Sequence, residues 1–419
     1  MGYNTSRYRL GDLCEFYRGA SVPRTRMHDS GDCLYIHYGD LYKGFSYCID
    51  AERQQKPIPY ILSSEKIKDE QRLLDQDIVY VLTSETVDDL GHSFLFNNPQ
   101  HVPAVAGTET TIVRVKDHCI LLPAYLNYLM HSPRFLKMLR QYVRGMKVFR
   151  VHPRDVARIE IELPAIETQR KTVLMLDAIH EKLLVNVRTN GYLAEIAEGI
   201  FEDWLHTAGG DSVPLSRIAS FNPSTYATKE KWPTVVYIDT GSVTRNHFED
   251  PVVINTAIEK LPSRARRKVE NGDVLYSTVR PNQLHYGLMN NPPSNLLVST
   301  GFTVVRDKAG VGGPFIYLAL TRPSITEMLQ SVAEQSTSAY PSIKSSDLGQ
   351  IEIPEPTKEE LGKIKPQLDN LFELIAQNER ESRALRELRD ALLPKLMSGE
   401  IDVSQIGLPT QPNSHLREC

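Results

Sequence analysis

Apolar residues recur at alternating steps of three and four in two stretches of this chain. In the first, Leu176, Ile179, Leu183, Asn186, Asn190, Leu193, Ala197, Ile200 and Trp204 form one seam, the spacing of a helix that packs lengthwise against another. The second seam is Leu368, Leu371, Ile375, Asn378, Ser382, Leu385, Arg389, Leu392 and Leu396, each position displaced by 192 residues (368 − 176) from the first. The pattern predicts long helices over residues 164–206 and 356–403. Thr357 and Glu360 are spaced as a capping box for the second, and Pro366 predicts a kink or a restart within it.

Outside the helices the pattern changes period. Short apolar clusters at 34–36, 77–82 and 110–115, bounded by Gly, Pro, Asn and Ser, read as strands of a mixed sheet. A helix follows Pro123, a second turn restarts at Pro133, and a basic loop at 144–150 leads to an alternating strand between Asp155 and Pro164. After a Gly209-Gly210 linker the itinerary repeats: residues 213–218 replace the opening strand, 272–277 answer 76–81, 301–306 answer 107–114, 314–329 answer the Pro123 helix, and 347–354 answer 155–164. Matched sites are offset by 192 (347 − 155) to 196 (276 − 80) residues, and the register held across five matches marks an internal duplication. Residues 404–419 carry no periodicity and read as a flexible tail.

Composition fits an ordinary globular chain of two or three domains: 419 residues, 41% hydrophobic, 24% charged, mean hydropathy −0.32. With no apolar run near the length of a membrane span and no leader-like N-terminus, a cytoplasmic protein is expected. The five scattered cysteines, without a C-x-x-C pair, are expected to be reduced thiols. A net charge of −4 neither requires nor excludes a nucleic-acid partner, since local basic runs such as 264–268 and 140–154 can be offset by acidic helices.

Catalytic signatures are sparse. Asn291-Pro292-Pro293-Ser294 imitates part of an amino-methyltransferase loop but lacks its aromatic and a Gly-x-Gly partner, and reads as a turn. There is no phosphate-binding G-x-x-x-x-G-K-S/T, and the twelve histidines show no metal spacing. His152 and His285 lie in polar loops, where a surface role is the ordinary reading. Two like globules joined by two like helices suggest a pseudo-two-fold arrangement with antiparallel helices. Asn186 then meets Ser382 and Asn190 meets Asn378, as polar pins that cost stability and fix register.

The pattern resembles the specificity subunits of type I restriction-modification systems. The residues that carry the resemblance are Leu10-Gly11-Asp12-Leu13, the run 272–277, the helix cue 125–133, the link 159–164 with Glu167 and Gln169, Phe201-Glu202-Asp203-Trp204, and above all the closing run 392–401. Two departures stand out: Thr168 separates Glu167 from Gln169, and the second link has Glu359-Glu360 without glutamine.

The resemblance implies a mixed α/β chain with target recognition domains at 1–163 and 207–355, held apart by the two antiparallel coiled-coil helices. It implies no catalysis in the chain itself. Double-stranded DNA, two modification subunits bringing S-adenosylmethionine, and restriction subunits using ATP and Mg would be the partners. A helix of about 30 residues spans roughly 45 Å, longer than one turn of B-DNA at about 34 Å, so the helices can act as a ruler for a split target. Groove readout needs Arg, Lys, Asn, Gln, Ser or Thr on loops. In the second half the candidates are Ser277, Thr278, Arg280, Asn282 and Gln283, then Ser338, Tyr340 and Lys344; in the first half, Thr83, Ser84, Arg144, Lys147, Arg150 and His152. Arg280 and Lys147 lead. A coiled-coil scaffold and a divergent DNA adenine methyltransferase stand as the alternatives.

Overall fold

A computed structural model describes residues 5–42, 45, 47–52, 57–227, 229–335, 340–404, 406 and 407. The chain forms two compact units, residues 1–183 with 383–419, and residues 184–382. The long helices are α1 (Ile166–Thr207) and α2 (Lys358–Ser398). The sequence predicts boundaries at the helix ends. The compact units instead divide both helices near their middles, because half of each helix completes each core.

In unit 1 a five-stranded mixed sheet runs in the order Cys14–Arg18, Thr110–Val115, Ile78–Val81, Ser93–Asn97, Cys48–Asp50, with only the last pair parallel. Its inner strand Ile78–Val81 is wholly buried, as a run without polar alternation should be when both faces are covered. Ile78 and Tyr80 face a core built with the helices Pro123–Met130 and Pro133–Arg140. Val79 and Val81 face a second core with Leu34, Ile36 and Ala106, from a three-stranded sheet. Val173 and Leu176 of α1 and Leu393, Leu396 and Met397 of α2 close the first of these cores.

Unit 2 repeats the plan. A four-stranded antiparallel sheet, Ala219–Phe221, Phe302–Asp307, Val274–Ser277, Tyr286–Leu288, sets Val274 and Tyr276 against the helices Gly313–Thr321 and Pro323–Glu334, while Leu275 faces a second core. That core is shared with a second four-stranded sheet, in which Thr234–Ile238 and Leu296–Ser299 run parallel. Here Ala197, Phe201 and Trp204 of α1 and Ile364, Leu368 and Phe372 of α2 complete the helix-side core, and the rings of Phe201, Trp204 and Phe315 meet at 4.9–5.4 Å between centroids.

The duplication extends to individual bonds. Arg114 grips Asp77 through Nε and Nη2 at 2.8 and 2.7 Å, and Arg306 grips Asp273 through the same atoms at 2.7 and 2.7 Å. Each aspartate also accepts a backbone N–H three residues back, from Leu74 and from Glu270, both at 2.7 Å. Such charge-assisted fork geometry ties the strand carrying the aspartate to its neighbour.

At α2 the expected capping box is present. Thr357 N–H donates to Glu360 Oε2 at 2.7 Å, and Glu360 N–H donates to Thr357 Oγ1 at 3.3 Å. The helix passes Pro366 without a break. It stops at Ser398, five residues short of the predicted 403, where Gly399 turns the chain at φ +75°. Beyond this turn the chain does not fray at once: Val403 is fully buried in the core of unit 1 and Ile406 packs beside it. The rest of the predicted tail, 408–419, lies outside the described residues. The strand expected from Asp155 begins only at Glu160, because Pro153–Val156 forms a helical turn. No helix among the described residues is long and apolar enough to cross a membrane.

Removing either aspartate takes the bidentate partner from a guanidinium that is about three-quarters buried, leaving Arg114 the Arg72 carbonyl at 3.1 Å and Arg306 the Glu270 carboxylate at 2.6 Å. Asp77→Ala and Asp273→Ala should each cost about 3 kcal/mol, read as a fall in urea midpoint at unchanged m-value.

A second expectation concerns pH. His131 lies over Tyr47, ring centroids 4.5 Å apart, with Nε2 donating to the Ser93 carbonyl at 2.8 Å. Burial, which outweighs the bond to Ser93, lowers its pKa from 6.5 to about 4. A depressed pKa means the folded state takes up the proton later than the unfolded chain. The associated stability is therefore complete above about pH 6.5 and is lost as pH falls toward 4, by on the order of 2 kcal/mol. Circular dichroism urea titrations at pH 7.5 and 4.5 should show a smaller difference for His131→Asn than for the parent.

Candidate nucleic-acid interface

In both units the buried inner strand of the helix-backed sheet ends in a polar loop, and a second loop from beyond the helices pairs with it. In unit 2 the first is 277–283. Ile343 N–H donates to the Thr278 carbonyl at 2.9 Å, Arg280 N–H donates to the Pro341 carbonyl at 3.0 Å, and Val279 bridges Ser342. In unit 1, Thr83 and Ser84 pair with Arg150 and Phe149 as antiparallel strands, and Val151 N–H donates to the Leu82 carbonyl at 3.0 Å. Segments named separately from the sequence are thus brought together within each unit.

Arg280 is the most constrained of the named side chains. It adopts φ +49°, ψ +70°, a left-handed conformation that costs a β-carbon-bearing residue on the order of 1 kcal/mol, and Pro281 behind it disfavours right-handed helix at this position. The loop makes this conformation hold. Gln283 N–H donates to the Arg280 carbonyl at 2.9 Å and Asn282 N–H donates to Gln330 Oε1 at 3.2 Å. The exposed Arg280 guanidinium lies 5.2 Å from the centre of the Tyr340 ring, itself 60% exposed. Asn282, Gln283 and Lys344 are exposed. Lys344 occupies the N-cap position of the short helix Ser345–Gly349, as His152 does for Pro153–Val156. Ser338 lies outside the described residues.

Several hydroxyls named from the sequence point inward. Ser277 is buried, its Oγ donating to the Val279 carbonyl at 3.0 Å, and Ser84 is buried with Oγ accepting from Thr86 N–H at 3.2 Å. Thr278 Oγ1 donates to the Gly301 carbonyl at 2.9 Å, and Thr83 Oγ1 to Glu109 Oε2 at 2.7 Å. These residues shape the loops, since a small hydroxyl after a buried strand is satisfied by its own turn. In unit 1, Arg144 pairs with the buried Asp155 at 3.0 Å and Arg150 with Glu109 at 3.6 Å, while Lys147 is exposed. His152 Nδ1 accepts Arg154 N–H at 3.1 Å, and His285 Nδ1 lies 2.7 Å from the Val243 carbonyl, so neither ring is idle.

Two features escaped sequence reasoning. One is the hairpin turn at Arg245 and Asn246, φ +47° and +63°, which sets Arg245 beside the Arg280 loop through its N–H bond to the Leu284 carbonyl at 2.9 Å. The consecutive left-handed residues suit a type I′ turn, and the asparagine was the available signal. The other is Met146, an exposed apolar residue inside the basic loop of unit 1. The segment 291–294 is the turn between Tyr286–Leu288 and Leu296–Ser299, with Asn291 at φ +44°.

Inside unit 2 the helices run antiparallel and their polar seam positions meet. Asn186, 2% exposed, donates through Nδ2 to Ser382 Oγ at 3.1 Å and to Glu381 Oε2 at 2.9 Å. Asn378 Nδ2 donates to Asn190 Oδ1 at 2.7 Å, and Asn190 Nδ2 donates to Glu379 Oε1 at 3.2 Å. Each amide nitrogen has an acceptor, so the seam carries these donors without leaving them orphaned.

Known proteins share parts of this sequence and its fold. Residues 4–190 match the type I restriction modification DNA specificity domain. The type I restriction enzyme HindI specificity subunit of Haemophilus influenzae is 31% identical over 192 residues, 45% of this chain; the match spans 40% of that relative's length. The MjaIX specificity subunit of Methanocaldococcus jannaschii is 24% identical over 311 residues, 67% of this chain and 70% of the relative. In fold, the chain is similar to the crystal structure of a type I restriction-modification S subunit from M. genitalium, with TM-score 0.56, 14% identity, and coverage of 94% and 96% of the two chains. The chain is thus similar to type I restriction-modification specificity subunits, in sequence over residues 4–190 and in fold over most of its length.

The seam gives its own expectation. Asn378→Ala should cost about 1–2 kcal/mol by leaving Asn190 Oδ1 without its donor. A double-mutant cycle with Asn190→Ala should return a coupling of about 1 kcal/mol, and additive losses would mean that the amide pair contributes nothing specific.

Proposed function

We propose that this chain reads a split DNA sequence for a type I restriction-modification assembly, unit 1 contacting one half of the target and unit 2 the other, with α1 and α2 setting the gap. The observation that carries this reading is the paired-loop construction found once in each unit: a buried strand delivers one loop, a second loop is hydrogen-bonded beside it, and exposed cations stand on the pair. Cations on preorganised loops supply phosphate contacts and bidentate donors to guanine. The chain contributes recognition and no catalytic group of its own. Adenine methylation with S-adenosylmethionine belongs to two modification subunits, and ATP- and Mg-dependent cleavage to restriction subunits. Docking of the modification subunits on the outer faces of the helices is supported by Val185, Val187, Tyr192 and Ile196 of α1, each 47–65% exposed although apolar or aromatic.

Mapping methylated adenines in DNA from cells carrying the complete system tests the proposal. The expected motif is bipartite, with a fixed unread gap, and an undivided motif would overturn the two-unit reading. Arg280→Ala should relax preference at one base pair of the half read by unit 2, by roughly 1–3 kcal/mol. Uniformly weaker binding with a shallower salt dependence would instead make Arg280 a phosphate contact.

A further inference from the structure

The basic loop of unit 1 is a closed ribbon. Arg144 N–H donates to the Arg150 carbonyl at 2.9 Å and Arg150 N–H returns to the Arg144 carbonyl at 2.8 Å. Gly145 sits at φ +116°, and a β-carbon on it would lie 2.1 Å from the Val148 carbonyl oxygen, so only glycine fits this reversal. The residue thrown outward is Met146, 94% exposed, with Val148 beside it at 41%. Single exposed apolar residues are ordinary; the setting of this one is not. From Arg140 to Arg154 the sequence carries Arg140, Arg144, Lys147, Arg150 and Arg154 and no carboxylate. Carboxylates from elsewhere hold Arg140, Arg144 and Arg150 at 2.7, 3.0 and 3.6 Å, while Lys147 is in no ion pair among the described residues. The ribbon is fastened at its base to the end of the buried strand, through Phe149 and Ser84 and through Arg150 and Thr83. An apolar tip is thus held rigidly among cations on an element of the width the major groove admits.

We propose that Met146 is a base-contacting residue of unit 1, its thioether end covering apolar surface of the DNA half-site while Lys147 faces the phosphates. The proposal rests on the DNA-reading function above. Duplex DNA offers apolar surface in two forms, the thymine methyl group in the major groove and the face of a base where a step unstacks. Met suits either, being unbranched, flexible and polarizable.

The test uses the full chain assembled with its modification subunits, on its mapped target and on unrelated DNA, read by fluorescence anisotropy. Met146→Gln keeps the length and removes the apolar end; Met146→Leu keeps the apolar end. The Gln variant should bind the target roughly five- to tenfold more weakly and unrelated DNA as the parent does, and the Leu variant should match the parent on both. Two arms separate the sources. If the methyl is covered, deoxyuridine at one thymine of that half-site weakens the parent to the level of the Gln variant and leaves the Gln variant unchanged. If a base face is covered, 2-aminopurine at one step brightens on binding the parent and not the Gln variant. A Gln variant equal to the parent on target, or weakened with neither arm responding, overturns the proposal. A parent assembly that does not distinguish its target from unrelated DNA overturns the function as well.

Discussion

Burial of apolar surface along α1 and α2 is the constraint on which the other features rest. Val173 and Leu176 with Leu393, Leu396 and Met397 close one core, and Ala197, Phe201 and Trp204 with Ile364, Leu368 and Phe372 close the other. Burying residues of this size is worth roughly 1.5–3 kcal/mol each, so a globule stripped of its helix halves would expose a face it cannot solvate cheaply. The helices are therefore parts of both compact units rather than a link added to finished domains. A helix that is also core fixes the position of each loop relative to its own segment of the seam.

The duplication shows which features that arrangement demands. The Asp77–Arg114 fork returns as Asp273–Arg306, the doubly covered inner strand returns, and so does the short helix after the second loop. The loops at the strand ends differ. One unit presents a glycine-turned ribbon with methionine at its tip, and the other an arginine in left-handed conformation laid over a tyrosine. Scaffold chemistry is copied while loop chemistry is not, which is what the proposed reading of two different half-sites requires.

Much of this was legible in the sequence, because period and repetition are local signals. The seam positions, the capping box at Thr357 and the glycine stop at 399 depend on residues a few positions apart. What was not legible depends on distant partners. No local pattern tells that Val403 fills the core of a unit that begins at the other end of the sequence, or that the hydroxyls of Ser84 and Ser277 turn into their own loops rather than outward. Composition singled out Arg280 and Lys147, but the ring beneath one and the glycine turn beside the other are facts of tertiary pairing.

The interrupted make-up of unit 1 also has a consequence for synthesis. Unit 2 is one continuous stretch, 184–382, whereas unit 1 joins residues 1–183 to the chain from 383 onward. On a ribosome the earlier globule must wait, with the apolar faces around Leu176 and Phe135 uncovered, until Leu393, Leu396 and Val403 have emerged. The unit made first is completed last. Loss of the last turns of α2 would thus disable the globule built mainly from residues before 184, leaving intact the one encoded beside them.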